Sequence, residues 1–296
     1  MKNIEDIREG NIVGSKFIIS GISDECADTL EEQITMHRQL GWDYLEIRNI
    51  NRITIDNADE KLVENIIKTL EVSKIKVSCL ASDIGKLFLA GEKYQPFEKD
   101  IRTLEKLIAF AVRTDCRYIR VMGYKRSDLS DDQWHDRSLE RLKVLAAIAQ
   151  KSGVFLALEN CAGWYADSGR KMAEFLEKVG SGHLVCLYDT GNPLSMYGKD
   201  SWDYYTEVRD YISYIHIKDA GSKNGKNFCY PGEGNSEVFR ILEDQYKRGY
   251  CGFISIEPHM APSAHKPDLK GNTETAWDIY RKYGEKLNEN IKKILF

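Results

Sequence analysis

The sequence lacks the features that identify a secreted or membrane-bound protein. Its seven cysteines are scattered, odd in number and without any CxxC pair, as expected of reduced thiols in a cytosolic protein. No apolar stretch approaches the roughly 18 to 20 residues that a membrane-spanning helix requires. The opening MKNIEDIREG contains acidic residues and no apolar segment of a signal peptide. We therefore expect a soluble, cytoplasmic protein with no membrane partner.

An excess of charge of one sign is also missing. The 42 basic and 46 acidic residues give a formal net charge of −4 and are spread without long single-sign runs. Nucleic-acid-binding proteins usually carry a basic patch or stripe, so we expect no nucleic-acid partner. With 42% hydrophobic residues, 30% charged residues and only six prolines, the composition is that of an ordinary globular protein.

Two nucleotide-binding signatures are absent as well. No GxGxxG follows the first predicted strand, and the segment PGEGN at 231–235 lacks the GxxxxGK[ST] spacing of a phosphate-binding loop. The chain shows instead an alternation of short β-rich runs with longer segments of helical spacing. Eight strands are predicted, at 17–20, 44–48, 76–81, 118–123, 154–159, 184–189, 214–219 and 253–257.

The segments between these strands are each long enough for one helix. Helical spacing is clearest at 29–40, 100–112, 138–150 and, after the eighth strand, 275–295. Eight β/α pairs favour an α/β fold of the single (β/α)8 TIM-barrel type, which typically takes about 250 residues, over an open doubly wound sheet. We expect one domain over residues 1–296, with residues 1–16 as an N-terminal arm.

Four consecutive predicted strands carry an ionisable side chain at or near their C-terminal end: Glu159, Asp189, His216 and Glu257. The C-terminal strand ends of a TIM barrel surround one mouth, so these side chains should converge. Three carboxylates and an imidazole at close range repel unless a cation lies among them. The pattern predicts a divalent metal ion. The oxygen-rich donor set favours Mn²⁺, with Mg²⁺, Co²⁺ and Zn²⁺ as alternatives.

Other polar residues near the same rim are candidates for substrate binding. Lys218 has the strand parity of His216, so it can face inward toward a hydroxyl, carboxylate or phosphate, or pair with a neighbouring carboxylate. His259 follows Glu257 by two residues and can donate hydrogen bonds or a proton. Trp164, in the loop after the fifth strand, can form an apolar wall beside a sugar.

Three further predictions concern residues away from the strand ends. Glu46 on the second strand and Arg120 on the fourth are expected to form a structural ion pair, with a buried polar network that supports the site as the alternative. His37 and His135 fall on predicted helices, where a solvated or capping role is expected.

Five segments resemble those of the xylose isomerase-like family of sugar isomerases and epimerases, which includes tagatose and psicose epimerases and inosose dehydratase. They are ALEN at 157–160, YDTGN at 188–192, HIKDA at 216–220, PGEGN at 231–235 and ISIEPH at 254–259. The resemblance covers nearly the whole chain. It implies that Glu159, Asp189, His216 and Glu257 bind one divalent ion, and that the two glutamates also act as catalytic proton carriers.

The resemblance further implies an enzyme that isomerises or epimerises a sugar or sugar phosphate by proton transfer through a metal-stabilised cis-enediolate. The alternative is a metal-dependent dehydratase of an inosose or dehydroshikimate-like substrate on the same scaffold. Asn192 stands where the ketohexose epimerases typically carry a histidine, and we assign it to substrate binding. The implied partner is a small carbohydrate or polyol, and homo-oligomers are common in the family. A related DNA endonuclease and a non-catalytic binding module are the remaining hypotheses.

Overall fold

The predicted barrel is present in the computed structural model, which describes residues 17–90, 94, 96–221, 227–261 and 274–295. The predicted N-terminal arm, residues 1–16, lies outside the described residues. Eight parallel strands form the sheet. They are β1 (Ile18–Gly21), β2 (Tyr44–Ile47), β3 (Lys76–Ala81), β4 (Tyr118–Gly123), β5 (Phe155–Gly163), β6 (Leu184–Asp189), β7 (Ile212–Ile217) and β8 (Phe253–Ile256).

The strand order is that of a barrel. Strands that follow each other in the sequence are neighbours from β2 through β8, and β8 pairs with β1. A single parallel bridge between Ile22 and Glu46 joins the end of β1 to β2, so the sheet is nearly closed. This arrangement confirms the TIM-barrel prediction.

Helices on the outside connect the strands. They are α1 (Leu30–Gln39), α2 (Glu60–Ser73), α3 (Phe97–Arg113), α4 (Asp131–Lys151), α5 (Gly169–Val179), α6 (Asn192–Tyr197), α7 (Ser201–Val208), α8 (Val238–Lys247) and α9 (Ala276–Leu295). Several begin after a side chain that accepts a hydrogen bond from the first turn, such as Thr29, Asp59 and Ser130. Within the described residues, none of the helices has both the length and the apolar character to cross a bilayer.

Two predicted C-terminal strand ends differ from the structure by more than one residue. β5 continues past 159, because Gly163 still pairs with Gly123 of β4. β7 ends at Ile217, because Asp219–Ala220 leaves the barrel and pairs antiparallel with Phe228–Cys229. Both deviations lie at the C-terminal mouth, where the chain turns out of the sheet into the loops.

The apolar core has two layers. A small cluster inside the barrel includes Phe155, Leu187 and Tyr214, and a larger one lies between the strands and the outer helices. Because alternate side chains of a strand face the same side, β5 directs first Phe155 and then Glu159 into the barrel. The aromatic side chains fill the lower interior and leave the polar side chains at the mouth.

The interpretation of His37 as a solvated helix residue is wrong. Its side chain is fully buried beneath α9. One ring nitrogen, Nδ1, lies 2.7 Å from the carbonyl oxygen of Tyr44, and Nε2 lies 2.9 Å from the hydroxyl of Tyr280. A neutral ring satisfies both contacts, with Nδ1 donating and Nε2 accepting. His135, also interpreted as solvated, is buried against Trp164.

Because His37 is buried and neutral, acid should destabilise the protein. Burial lowers the pKa of His37 from 6.5 to about 4. The stabilisation is therefore present above pH 6.5 and is lost as the pH falls toward 4. At pH 5 the loss from this group should be about 2 kcal/mol. Urea unfolding of the wild type and of His37→Gln at pH 8 and pH 5 measures it. The free energy of unfolding of the wild type minus that of His37→Gln should be lower at pH 5 than at pH 8 by that amount. An unchanged difference would contradict the prediction.

Candidate metal centre

The four strand-end side chains meet at the C-terminal mouth of the barrel. Glu159, Asp189, His216 and Glu257 each offer one ligand atom, and these atoms all lie within 4.8 Å of one another. All four residues are buried, with at most 3% of their surface exposed. We refer to these four residues as the quartet.

The quartet contains polar atoms that lack hydrogen-bond partners. Among the described residues, the buried side-chain atoms that lack a hydrogen-bond partner include Glu159 Oε2, Asp189 Oδ2, His216 Nδ1 and Glu257 Oε2. Buried polar atoms are normally paired, and an exception calls for an explanation such as a bound ion. Opposite ligands of an ion bound at about 2.1 Å are about 4.2 Å apart. The ligand atoms of the quartet, all within 4.8 Å of one another, are therefore spaced close to what one divalent ion requires.

Glu46 orients the imidazole of the quartet. Nε2 of His216 lies 3.1 Å from both carboxylate oxygens of Glu46. The hydroxyls of Tyr214 and Ser255 donate to Glu46 Oε2 at 2.9 and 2.6 Å. These contacts place the Nε2 proton toward Glu46 and leave Nδ1 facing the other three side chains, an arrangement that metal-bound histidines commonly show.

The expected direct ion pair between Glu46 and Arg120 is wrong, because each residue has a different partner. Glu46 pairs with His216 at 3.1 Å, and the Arg120 guanidinium lies 3.4 Å from Glu159 Oε2. Arg120 also donates to the carbonyl oxygen of Ser82. Both residues therefore support the quartet, but through separate members of it.

Lys218 lies inside the quartet. Its Nζ is 2.8 Å from Asp189 Oδ2 and 2.5 Å from Glu257 Oε2, in ion pairs that lack normal hydrogen-bond geometry at the two oxygens. The same ammonium donates to Asn192 Oδ1 at 3.2 Å, and Asn192 Nδ2 donates to Glu159 Oε1 at 3.0 Å. Lys218 and Asn192 thus reach three of the four members of the quartet.

A second group of charges surrounds Glu257 on its other side. Arg48 lies 3.0 Å from Asp24, 3.3 Å from Glu25 and 3.1 Å from Glu257 Oε1. His259 Nε2 lies 3.0 Å from the same Glu257 oxygen. The side chain of His259 is 20% exposed, so it connects the buried Glu257 carboxylate with solvent.

Interactions within the quartet shift its titration strongly. Burial opposes ionisation of Glu159, but the Arg120 guanidinium and His216 outweigh it and lower the pKa of Glu159 to about 2. Burial raises the pKa of Asp189 to about 6, against the effect of Lys218. Burial also opposes protonation of His216, yet its carboxylate neighbours, chiefly Glu46, raise its pKa to about 10. Such strongly perturbed groups are typical of functional sites.

Two supporting residues were not identified from the sequence. Asn160 Oδ1 accepts a hydrogen bond from the main-chain N–H of Asp189, and Asn160 Nδ2 donates to the main-chain oxygen of Asp189. It therefore fixes the end of β6 against β5. Glu25, in the loop after β1, was also missed. The one feature of the sequence that pointed to either residue is that Asn160 directly follows Glu159.

Trp164, assigned to substrate binding, lies apart from these contacts. It lines a cavity beside the mouth, where its ring packs edge-to-face on His135 with centroids 4.6 Å apart. The structure thus brings Lys218, Asn192 and His259 to the quartet and places Trp164 in the wall of a neighbouring cavity.

Two known proteins are similar to this chain in sequence. Inosose dehydratase of Bacillus licheniformis is 24% identical over 154 residues, which cover 47% of this chain and 51% of that protein. A probable L-ribulose-5-phosphate 3-epimerase of Mycoplasma pneumoniae is 21% identical over 228 residues, 72% of this chain and 71% of that protein. The chain therefore spans about half the length of the inosose dehydratase and 71% of the length of the probable epimerase.

A solved structure has the same architecture. The IolI protein with a bound zinc atom superimposes with a TM-score of 0.72 at 16% identity, covering 94% of this chain and 99% of that one. The sequence profile described as xylose isomerase-like TIM barrel matches residues 35–282. The chain therefore belongs to the xylose isomerase-like TIM-barrel family.

Proposed function

We propose that the protein is a divalent-metal-dependent isomerase or epimerase of a sugar or sugar phosphate. The observation that carries the proposal is the set of four buried ligand atoms without a hydrogen-bond partner that converge in the quartet. The named relatives support the substrate class, because one is a probable epimerase of a ketopentose phosphate and the other acts on an inosose. Mn²⁺ is the preferred ion on the donor set, with Mg²⁺, Co²⁺ and Zn²⁺ as alternatives.

In this proposal Glu159, Asp189, His216 and Glu257 hold the ion. When bound, the ion would supply Lewis-acid stabilisation of the negative charge that develops on substrate oxygens. The ammonium of Lys218 is close enough to bind a substrate hydroxyl or oxyanion at the same place. Asn192 would hold Glu159 in position through its 3.0 Å hydrogen bond.

Glu159 and Glu257 are proposed to move the proton. Glu159 lies on β5 and Glu257 directly follows β8, so the two carboxylates would approach a substrate from different sides of the mouth. One carboxylate can take the proton from the carbon beside the substrate carbonyl, and the other can return it on the opposite face. His259, in contact with Glu257 and partly exposed, gives that carboxylate a route for proton exchange with solvent.

Dehydration is the second candidate, because inosose dehydratase is among the relatives. It would use the same proton abstraction, followed by loss of a β-hydroxyl that needs a proton donor. His259, 3.0 Å from Glu257, could provide that proton. A product with an absorbing enone would identify dehydration, whereas a product of unchanged mass would identify isomerisation or epimerisation.

The metal content of the purified protein tests the proposed function. We expect about one equivalent of divalent metal by elemental analysis, and less in Glu159→Gln and Asp189→Asn, because metal sites depend on charged ligands. Glu285→Gln, at an exposed ion pair on α9, is the matched control and should keep the metal. A wild type that takes up none of Mn²⁺, Mg²⁺, Co²⁺ or Zn²⁺ would refute the proposal.

The carboxylate behind His216 should tune the affinity for the metal. Glu46→Gln removes the negative charge that faces Nε2 of His216 but keeps the size of the side chain. Loss of such an outer partner typically weakens metal binding about 10- to 100-fold. A competition titration with a chelator measures the change. An affinity equal to that of the wild type would show that Glu46 has only a structural role.

A further inference from the structure

A cavity of about 430 Å³ opens beside the quartet, between the loops after β4 and β5 and the helix α6. Cys161 of β5 forms part of its wall. It follows Glu159 by two residues along the strand, a distance of about 7 Å. The hydroxyl of Tyr197, also in the wall, donates to the Cys161 carbonyl oxygen at 2.6 Å. The cavity is therefore built on two elements that also carry quartet contacts, β5 and α6.

The walls of this cavity are positively charged, although the chain as a whole carries −4. Its basic side chains are Lys86, Lys125, Arg126 and Lys171, and its acidic ones are Asp131 and Asp167. The four basic side chains outnumber the two acidic ones, so the lining of the cavity carries a net positive charge that favours anions.

Three of the four cations form an ion pair with a neighbouring aspartate. Lys86 pairs with Asp83 at 2.9 Å, Arg126 with Asp131 at 2.6 Å and Lys171 with Asp167 at 3.1 Å.

Lys125 differs from these three. Its main-chain N–H donates to the carbonyl oxygen of Leu87 at 2.9 Å, and its ammonium lies 5.9 Å from the centre of the Phe88 ring. Within the described part of the chain, no carboxylate lies within ion-pair distance of this ammonium. An anion could therefore bind Lys125 without breaking an existing ion pair.

Two tryptophans give the cavity apolar faces. The indole N–H of Trp134 donates to the carbonyl oxygen of Tyr124 at 3.0 Å. The Trp164 ring is held between His135 and the ammonium of Lys171, which lies 5.0 Å from its centre. Rigid aromatic faces with polar groups beside them suit a ligand that has C–H faces and a charged end. A sugar phosphate has this character.

We propose that this cavity binds the phosphate group of a sugar phosphate substrate whose reacting carbons lie at the quartet. The inference rests on the proposed function and narrows it, since a neutral sugar would leave the ammonium of Lys125 without an anionic partner. Lys125 binds the phosphate oxygens, Arg126 adds a second cation by turning from the exposed Asp131, and Trp164 covers a C–H face of the sugar. Arginine and lysine are the usual protein partners of phosphate.

The first test compares ketoses with and without a terminal phosphate. Wild-type kcat/KM should be higher for the phosphorylated member of each pair. The double variant Lys125→Met/Arg126→Met should lose about 10- to 100-fold of kcat/KM for that member, and clearly less for the unphosphorylated one. Lys247→Met/Arg248→Met is the matched control, an adjacent Lys–Arg pair at the end of α8, and should keep the wild-type ratio.

The second test does not depend on turnover. Calorimetric titration with inorganic phosphate at constant ionic strength should show millimolar binding that the Lys125/Arg126 double variant weakens at least tenfold and the control variant retains. Phosphate binding without turnover of any ketose would support the anion site and refute the proposed function. Turnover without phosphate binding or a preference for phosphorylated ketoses would overturn this inference and leave the proposed function intact.

Discussion

Replacing Glu257 with Gln should lower the rate of C–H exchange in the substrate about 10³-fold, since general acid–base groups contribute about 10² to 10⁴. The amide keeps the shape of the side chain but cannot accept a proton. In the structure Glu257 lies 3.0 Å from the partly exposed His259 and in contact with Lys218. The measurement is incorporation of deuterium from heavy water into a ketose or ketose phosphate, followed by NMR.

Loss of metal could mimic loss of the proton carrier, so the exchange must be measured with excess divalent ion and with the bound metal quantified. The exposed Glu285→Gln again serves as the control and should exchange at the wild-type rate. A Glu257→Gln protein that is loaded with metal and exchanges as fast as the wild type would exclude Glu257 as a proton carrier.

Arg48→Met should lower the free energy of unfolding by about 3–5 kcal/mol, because removal of one partner leaves buried charges uncompensated. Arg48 lies within 3.3 Å of three carboxylates, those of Asp24, Glu25 and Glu257. Its side chain is only 7% exposed, so water cannot replace it easily. Urea unfolding monitored by circular dichroism measures the loss.

Arg52 offers a matched comparison four residues further along the chain. It also pairs with an aspartate, Asp28, at 2.7 Å, but its side chain is 74% exposed. Exposed ion pairs typically contribute no more than about 1 kcal/mol, so Arg52→Met should be nearly neutral. If Arg48→Met cost no more than Arg52→Met, the carboxylates around Arg48 would have to be protonated or hydrated in the folded protein.

The barrel and the meeting of the quartet could be anticipated because they depend on local periodicity and crossover length. Alternation along β5 and β7 determines which side chains face the barrel interior. Connections long enough for one helix make the strands parallel, so that their C-terminal ends all lie at one mouth. Glu159 and His216 therefore converge in any barrel that closes with these strands.

The partners of the charged residues could not be anticipated in the same way. The pairing of Glu46 with His216 joins residues 170 positions apart, and it depends on the tilt and stagger of strands, which local periodicity does not contain. The burial of His37 depends on the docking of α9, whose Tyr280 is 243 residues away. The cavity at Trp164 likewise depends on the conformations of loops.

The distribution of the quartet along the chain limits how the barrel can be divided. All four of its members come from the second half of the sequence, β5 to β8, which could suggest that a half-barrel fragment is a minimal enzyme. Three of the charges that orient and compensate them come from the first half: Glu46 on β2, Arg48 directly after it, and Arg120 on β4. A fragment containing β5–β8 would possess every ligand atom but none of these three counter-charges. We therefore expect that both halves of the barrel are needed. Separate halves would have to reassociate before they could bind a metal ion as proposed for the intact chain.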